Sequence, residues 1–344
     1  MGAVDSHSNV KAMQPRYVLA AAMAAVAIAL IVLFYMSGIR LSLNYILNPP
    51  SELPIIAILA ISLILGIMHG ATPDEHTWPI TFSYAVGSYS TRKGMKAGLA
   101  FSSGFTLQRA ILTTLGFIGL AAIYKTYNLD GPVYIIVGIV MAVAGAYILR
   151  KRIYLHLPID RILGSGGHRS IISSKASTES PKPVSLKMAV LHGLVAGWGF
   201  GAYATIITFI LAPQVPGLIY APLPGLFFGL GTMLMQIIFG GLFANLARLK
   251  KLSVEQITYV GRKTAGRTLF YGGILFAVIG ALIVAFPVLD TIALSTDNPI
   301  PNLDSIGVAT VLVLLVVGVV GVGSLVLGII EILSRKKIPT TDKS

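Results

Sequence analysis

The chain has 344 residues, of which 55% are apolar and only 11% are charged, and its net charge is +13 with a mean hydropathy of +0.81. A water-soluble domain cannot bury that much apolar surface, so the composition excludes an ordinary soluble enzyme and predicts a membrane protein. The chain has no cysteine, which excludes disulfides, thiolate metal sites and cysteine nucleophiles. Any bound metal must therefore use nitrogen and oxygen ligands.

Apolar stretches recur along the whole chain, and most are too long for the core helices of a soluble protein. They cover residues 17–36, 54–70, 97–124, 131–149, 188–212, 221–247, 269–288 and 306–333, with a further mostly apolar piece at 77–89. The first stretch follows Lys11 and Arg16 and has no signal-peptide cleavage motif after it, so we interpret it as a retained span. The pattern predicts an all-α polytopic membrane protein with about eight transmembrane helices.

The basic residues lie in alternate connections between these stretches. If the N-terminus is inside the cell, 23 of the 26 Lys and Arg residues fall on the cytoplasmic side, whereas the external segments are mildly acidic. This distribution follows the positive-inside rule, so the positive charge indicates topology rather than a nucleic-acid partner. We therefore predict a multi-pass protein of the cell membrane with both termini in the cytoplasm and the lipid bilayer as its partner.

The longest internal connection, residues 150–186, is basic and rich in Ser and Gly, which is typical of a flexible cytoplasmic linker. This linker separates an N-terminal membrane half, residues 1–149, from a C-terminal membrane half, residues 187–344. A His-Gly pair followed downstream by a glutamine occurs in each half, as His69-Gly70 with Gln108 and as His192-Gly193 with Gln236. Because the predicted second and fifth spans enter the membrane from opposite sides, this echo favours an inverted repeat.

A polar run, HGATPDEHTWP from His69 to Pro79, interrupts the second apolar stretch. As one helix, the segment from Pro54 to Ser90 would be roughly 55 Å long, against a hydrocarbon core of about 30 Å. Two prolines in the run, Pro73 and Pro79, cannot donate backbone hydrogen bonds, so we predict that the second helix is broken there. Irregular backbone at membrane depth has to line an internal cavity.

The break carries ionisable residues, which are costly in a membrane and are usually functional. A bend there can bring two imidazoles and a carboxylate to one ion, and an inverted repeat would add a histidine from the other half. The predicted metal ligands are His69, Asp74, His76 and His192, and the predicted charge partners and pore-lining residues are Glu75, Arg109, Gln108 and Gln236. The alternative is a structural cluster, in which Arg109 and a carboxylate form a buried pair and the histidines cap the ends of broken helices.

At this run the chain resembles the nickel/cobalt transporter superfamily, including its efflux and urease-accessory-like relatives, whose second span carries an H-x4-D-H signature. His69 and Asp74 match the first two positions of the signature, Glu75 stands at the third, and His76 follows one residue later. The segments FSSGFT (101–106) and HGLVAG (192–197) are similar to two further segments of that family, although Phe105 stands where the family has a histidine. The resemblance implies eight spans with internal termini and transport of nickel or cobalt.

These observations predict a carrier for a divalent transition-metal cation, with nickel or cobalt favoured and the direction of transport open. The ion is the transported substrate, so we expect no resident cofactor and no enzymatic activity. One alternative is a proton-coupled carrier of another small solute, in which the carboxylates and histidines relay protons. Others are an intramembrane metal-dependent hydrolase with Glu75 as the base, and a purely structural membrane protein.

Overall fold

The computed structural model describes residues 42–127, 129–150, 185–246 and 252–335. The predicted first span at residues 17–36 and most of the predicted linker at 150–186 lie outside these ranges. The described residues are mostly helical, and their only strands are a short antiparallel pair in one connection. An all-α protein is therefore confirmed for this part of the chain.

The first half contains a helix that is interrupted where the sequence predicted a break. Its elements are α1 (Leu43–Leu47), α2 (Ile55–Ala71), α3 (Trp78–Val86), α4 (Thr91–Phe117), α5 (Ala122–Thr126) and α6 (Asp130–Leu149). The side chain of Ser90 caps α4 by accepting a hydrogen bond from the Lys93 N–H at 3.3 Å.

The second half begins with another interrupted helix. Its elements are α7 (Leu186–Ala196), α8 (Ala202–Thr205) continued by a π-helix (Ile206–Leu211) and a 3₁₀ turn (Ala212–Gln214), a second 3₁₀ turn (Leu218–Tyr220), α9 (Leu223–Leu246) and α10 (Val254–Ala285). A 3₁₀ turn (Pro287–Thr291), strands β1 (Leu294–Ser295) and β2 (Ser305–Ile306), α11 (Val308–Val313), a second π-helix (Leu314–Val322) and α12 (Gly323–Arg335) follow. The strands pair with Leu294 opposite Ile306 and Ser295 opposite Ser305.

Four helical segments in the described ranges are long and apolar enough to cross a membrane, which fits an all-α membrane protein. They are Asp130–Leu149, Leu218–Leu246, Gln256–Ala285 and Val308–Ser334. Three other predicted spans correspond to α2 with α3, to α4, and to α7 with α8. The first and last of these are divided into short pieces, while α4 is polar and buries Ser102, Thr106, Gln108 and Arg109 in the bundle.

Close helix packing rests on glycines that leave no room for a side chain. A Cβ added to Gly66 of α2 would collide with the backbone of Phe228 in α9, and one added to Gly70 would meet Thr232 and Met235. Residue numbers rise together in both helices along this contact, so α2 and α9 run parallel.

The same contact recurs between α7 and α4. A Cβ on Gly193 would collide with the backbone of Phe101, and one on Gly197 would meet the side chain of Gln108. Residues 66 and 193, 70 and 197, 101 and 228, and 108 and 235 are each 127 positions apart. Adding 127 to each residue number in the first half therefore turns the α2–α9 contact into the α7–α4 contact, so the two halves contact each other in the same way.

The direction of the helices shows how the halves are related. Gly98 of α4 lies against Gln236 of α9, and Gly225 of α9 lies against Arg109 of α4, so these two helices are antiparallel. Equivalent helices in the two halves consequently run in opposite directions. This register differs from the one indicated by the sequence echo, because it pairs Gly193 with Gly66 rather than with Gly70.

Candidate functional site

The predicted break lies between Ala71, the last residue of α2, and Trp78, the first residue of α3. Pro73 cannot donate to the carbonyl of His69, and the Thr72 hydroxyl donates to that carbonyl instead at 3.3 Å. The carboxylate oxygen Oδ1 of Asp74 accepts hydrogen bonds from the backbone N–H groups of His76 at 3.1 Å and Thr77 at 2.8 Å. Asp74 thus holds the turn that leads into α3.

Three potential ligand atoms converge inside this turn. Asp74, Glu75 and His76 each offer one, and these atoms lie within 4.8 Å of one another. The Glu75 carboxylate is 2.9 Å from Nδ1 of His76 and accepts a hydrogen bond from the Tyr134 hydroxyl of α6 at 3.1 Å. Nε2 of His76 is buried and has no hydrogen-bond partner in the part of the chain that the structure describes. An imidazole nitrogen in this state is suited to a metal ion.

His69 lies beside this group without joining it. Its Nδ1 is 3.7 Å from Oδ2 of Asp74, and its ring packs against Phe105, Phe228 and Tyr203 with centroid separations of 5.5, 5.2 and 5.7 Å. Nε2 of His69 is also buried without a hydrogen-bond partner among the described residues. The break therefore brings both predicted histidines close to the Asp74 carboxylate.

The second interruption, residues 197–201 with the sequence GWGFG, meets the first one. The backbone of Gly199 lies directly against the His76 ring, since a Cβ at this glycine would come within 2.6 Å of the ring atom Cε1. The Gly199 carbonyl accepts a hydrogen bond from Nη2 of Arg109 at 3.0 Å. Both helix breaks thus contribute to one buried polar region.

The predicted charge partners Glu75 and Arg109 both lie in this region. Glu75 contacts His76 and Tyr134, as described above. The Arg109 guanidinium carbon lies 4.6 Å from the ring centre of Phe105 and 5.6 Å from that of Phe228. Arg109 is only 2% exposed, so its charge is held inside the bundle.

The predicted ligand His192 lies apart from the group formed by Asp74, Glu75 and His76. It is buried against Tyr84 of α3, whose hydroxyl is 2.6 Å from Nδ1 of His192, and the same nitrogen is 3.1 Å from the Met188 carbonyl. Its contacts therefore join α7 to α3.

Gln108 and Gln236, predicted to line a pore, are both fully buried. Neither side-chain amide has a hydrogen-bond partner within the described ranges. Unpaired buried amides are rare in folded proteins and are usually satisfied by water or a ligand. The two amides are therefore polar groups inside the bundle, and their role in lining a pore stays a prediction.

The connection between α10 and α11 packs against the first helix break and against α8, which follows the second break. The Asn302 amide donates to the Thr72 hydroxyl at 3.2 Å, and the Tyr203 hydroxyl donates to the Pro301 carbonyl at 3.2 Å. In the same connection, partial burial and then the nearby charge of Glu75 raise the pKa of Asp290.

The sequence did not single out Tyr134 or Tyr203, and it indicated Gly199 only as one of several small residues that let helix backbones come close. Tyr134 is one of the few side chains in the mostly apolar helix α6 that can form a hydrogen bond, which is a detectable signal. The closely spaced glycines at 197, 199 and 201 also mark an interruption of the fifth apolar stretch, although they do not reveal that Gly199 touches His76.

In comparisons with known proteins, the chain matches no family model, no curated protein sequence and no solved structure.

Proposed function

We propose that this chain is a carrier of a divalent transition-metal cation in the cell membrane, with nickel or cobalt as the favoured substrate. The proposal includes eight spans, cytoplasmic termini and an inverted repeat. The observation that carries it is the convergence of ligand atoms from Asp74, Glu75 and His76 within 4.8 Å at a helix break inside the bundle.

The chemistry of these groups supports a borderline divalent ion. Imidazole nitrogen suits nickel, copper and zinc, carboxylate oxygen adds negative charge, and the chain has no thiolate to favour softer ions. The ligand residues are also preordered, because Asp74 is fixed by backbone N–H groups and His76 is held by Glu75 and Gly199. A fixed set of ligands lowers the entropic cost of binding.

Metal binding by the purified protein tests the substrate class. We expect calorimetric titration to show one tight equivalent of Ni²⁺ or Co²⁺ and much weaker binding of Mg²⁺, which prefers an all-oxygen environment. Binding should weaken at acidic pH, because protons compete with the metal ion for the ligand imidazole. The absence of saturable binding for any ion of the panel would contradict the proposal.

The second candidate is a proton-coupled carrier of another small solute. It is favoured by the hydrogen-bonded series Tyr134, Glu75 and His76, in which the carboxylate and imidazole can exchange a proton. Transport into proteoliposomes that is unaffected by chelators and needs a pH gradient would establish this candidate in place of the first.

Labelling of introduced cysteines tests the proposed topology, and the absence of native cysteine removes any background. We expect single cysteines at Ser173 and Ser253 to react only when a membrane-impermeant maleimide reaches the cytoplasmic side. A cysteine at Thr296 should react from outside. Any of the three reacting from the opposite side would overturn the proposed arrangement of spans.

A further inference from the structure

Arg109 and His69 share the same aromatic neighbours. The rings of Phe105 and Phe228 lie 5.5 and 5.2 Å from the His69 ring, and their centres lie 4.6 and 5.6 Å from the Arg109 guanidinium carbon. Arg109 is 2% exposed, and a guanidinium does not lose its proton in a protein. A permanent positive charge is therefore held beside the region where we place a cation.

This charge opposes the binding of a second cation. Electrostatic repulsion between buried charges is much stronger than in water, because the surrounding protein and lipid screen it weakly. The carboxylates of Asp74 and Glu75 attract a divalent ion, and Arg109 offsets part of that attraction. A carrier benefits from this balance, since a substrate ion must enter its site and also leave it.

The repeated helix contacts indicate that helix packing alone does not require an arginine here. Gly98 contacts Gln236, and Gly225 contacts Arg109. With the same offset of 127 positions, Gly98 corresponds to Gly225 and Arg109 corresponds to Gln236. Gln236 therefore occupies in the second half the place that Arg109 has in the first. Since a neutral glutamine side chain packs at the equivalent position, packing does not explain why residue 109 carries a charge.

We propose that Arg109 sets the affinity of the site for divalent cations, acting as an internal cation that weakens binding and so permits release. This role rests on the proposed function. Arg109 changes the charge of the site without being a ligand.

The test compares Arg109→Gln, which copies the residue of the second half, with Arg109→Lys, which keeps the charge. In calorimetric titration of the purified proteins with Ni²⁺, we expect Arg109→Gln to bind at least about tenfold more tightly than the wild type. Arg109→Lys should stay within about threefold. In proteoliposomes, Arg109→Gln should release the ion more slowly, so that its turnover falls although its affinity rises.

Arg109→Met provides a second neutral variant if Arg109→Gln does not fold, as judged by size-exclusion chromatography and thermal unfolding. Unchanged or weaker Ni²⁺ affinity in a folded neutral variant overturns the role of Arg109, while binding by the wild type would leave the proposed function standing. No Ni²⁺ or Co²⁺ binding by the wild type or by any neutral variant overturns both proposals.

Discussion

Replacement of His76 by alanine is expected to lower the affinity for Ni²⁺ or Co²⁺ by about 100-fold or more and to abolish transport. The substitution removes a buried nitrogen that has no hydrogen-bond partner among the described residues, and it also leaves the Glu75 carboxylate without its 2.9 Å contact. Calorimetric titration of the purified variant measures the loss. His69→Ala and Asp74→Asn should likewise abolish transport, since both groups border the same site.

His192→Ala is the matched control, because this histidine is also buried but lies outside the group of three. We expect its metal affinity to stay within about threefold of the wild type. Loss of the bond to Tyr84 should instead lower the free energy of unfolding by about 1–3 kcal/mol. If His192→Ala loses metal binding while His76→Ala keeps it, the assignment of ligands is wrong.

The break in the second helix could be predicted because its causes are local. Two prolines remove backbone donors, and ionisable residues at that depth need an internal cavity. A bend between His69 and His76 is also enough for both histidines to approach the Asp74 carboxylate, as they do in the structure, while their role as metal ligands stays a prediction. These inferences required no knowledge of how distant helices pack.

The residue-by-residue correspondence between the two halves could not be predicted from local sequence features. His-Gly pairs suggested that His192 corresponds to His69, whereas the glycine contacts pair Gly193 with Gly66. Side-chain identity is a poor guide to this register, because the contacts depend on where backbones approach closely. His192 lies against Tyr84, whereas the sequence predicted it as a ligand in the metal site.

Contacts across the bundle were likewise inaccessible to local reasoning. Tyr134 reaches Glu75 from a helix that begins more than 50 residues later, and Gly199 touches His76 across an even longer separation. Only the three-dimensional packing of α6 and of the second break shows that these residues shape the site. The GWGFG run was noticeable as a cluster of glycines, but small residues serve many helix contacts.

Two glycines of the GWGFG run, Gly199 and Gly201, have different surroundings in the structure. Gly199 is buried against His76, whereas a Cβ at Gly201 would meet nothing within 4 Å. Neither glycine has a positive φ that would oppose alanine, so any effect of a substitution arises from the added methyl group.

Gly199→Ala is therefore expected to weaken metal binding and to impair transport. Its methyl group would lie 2.6, 2.7 and 2.9 Å from Cε1, Nδ1 and Nε2 of His76, so the imidazole must move away from Glu75 or the break must open. Since a displacement of about 1 Å is enough to spoil a preordered site, we expect at least a tenfold loss of Ni²⁺ affinity. Gly201→Ala should bind and transport like the wild type. Titration of both variants, with thermal unfolding to verify that each is folded, measures the difference, and equal affinity in the two would show that the contact between Gly199 and His76 does not shape the site.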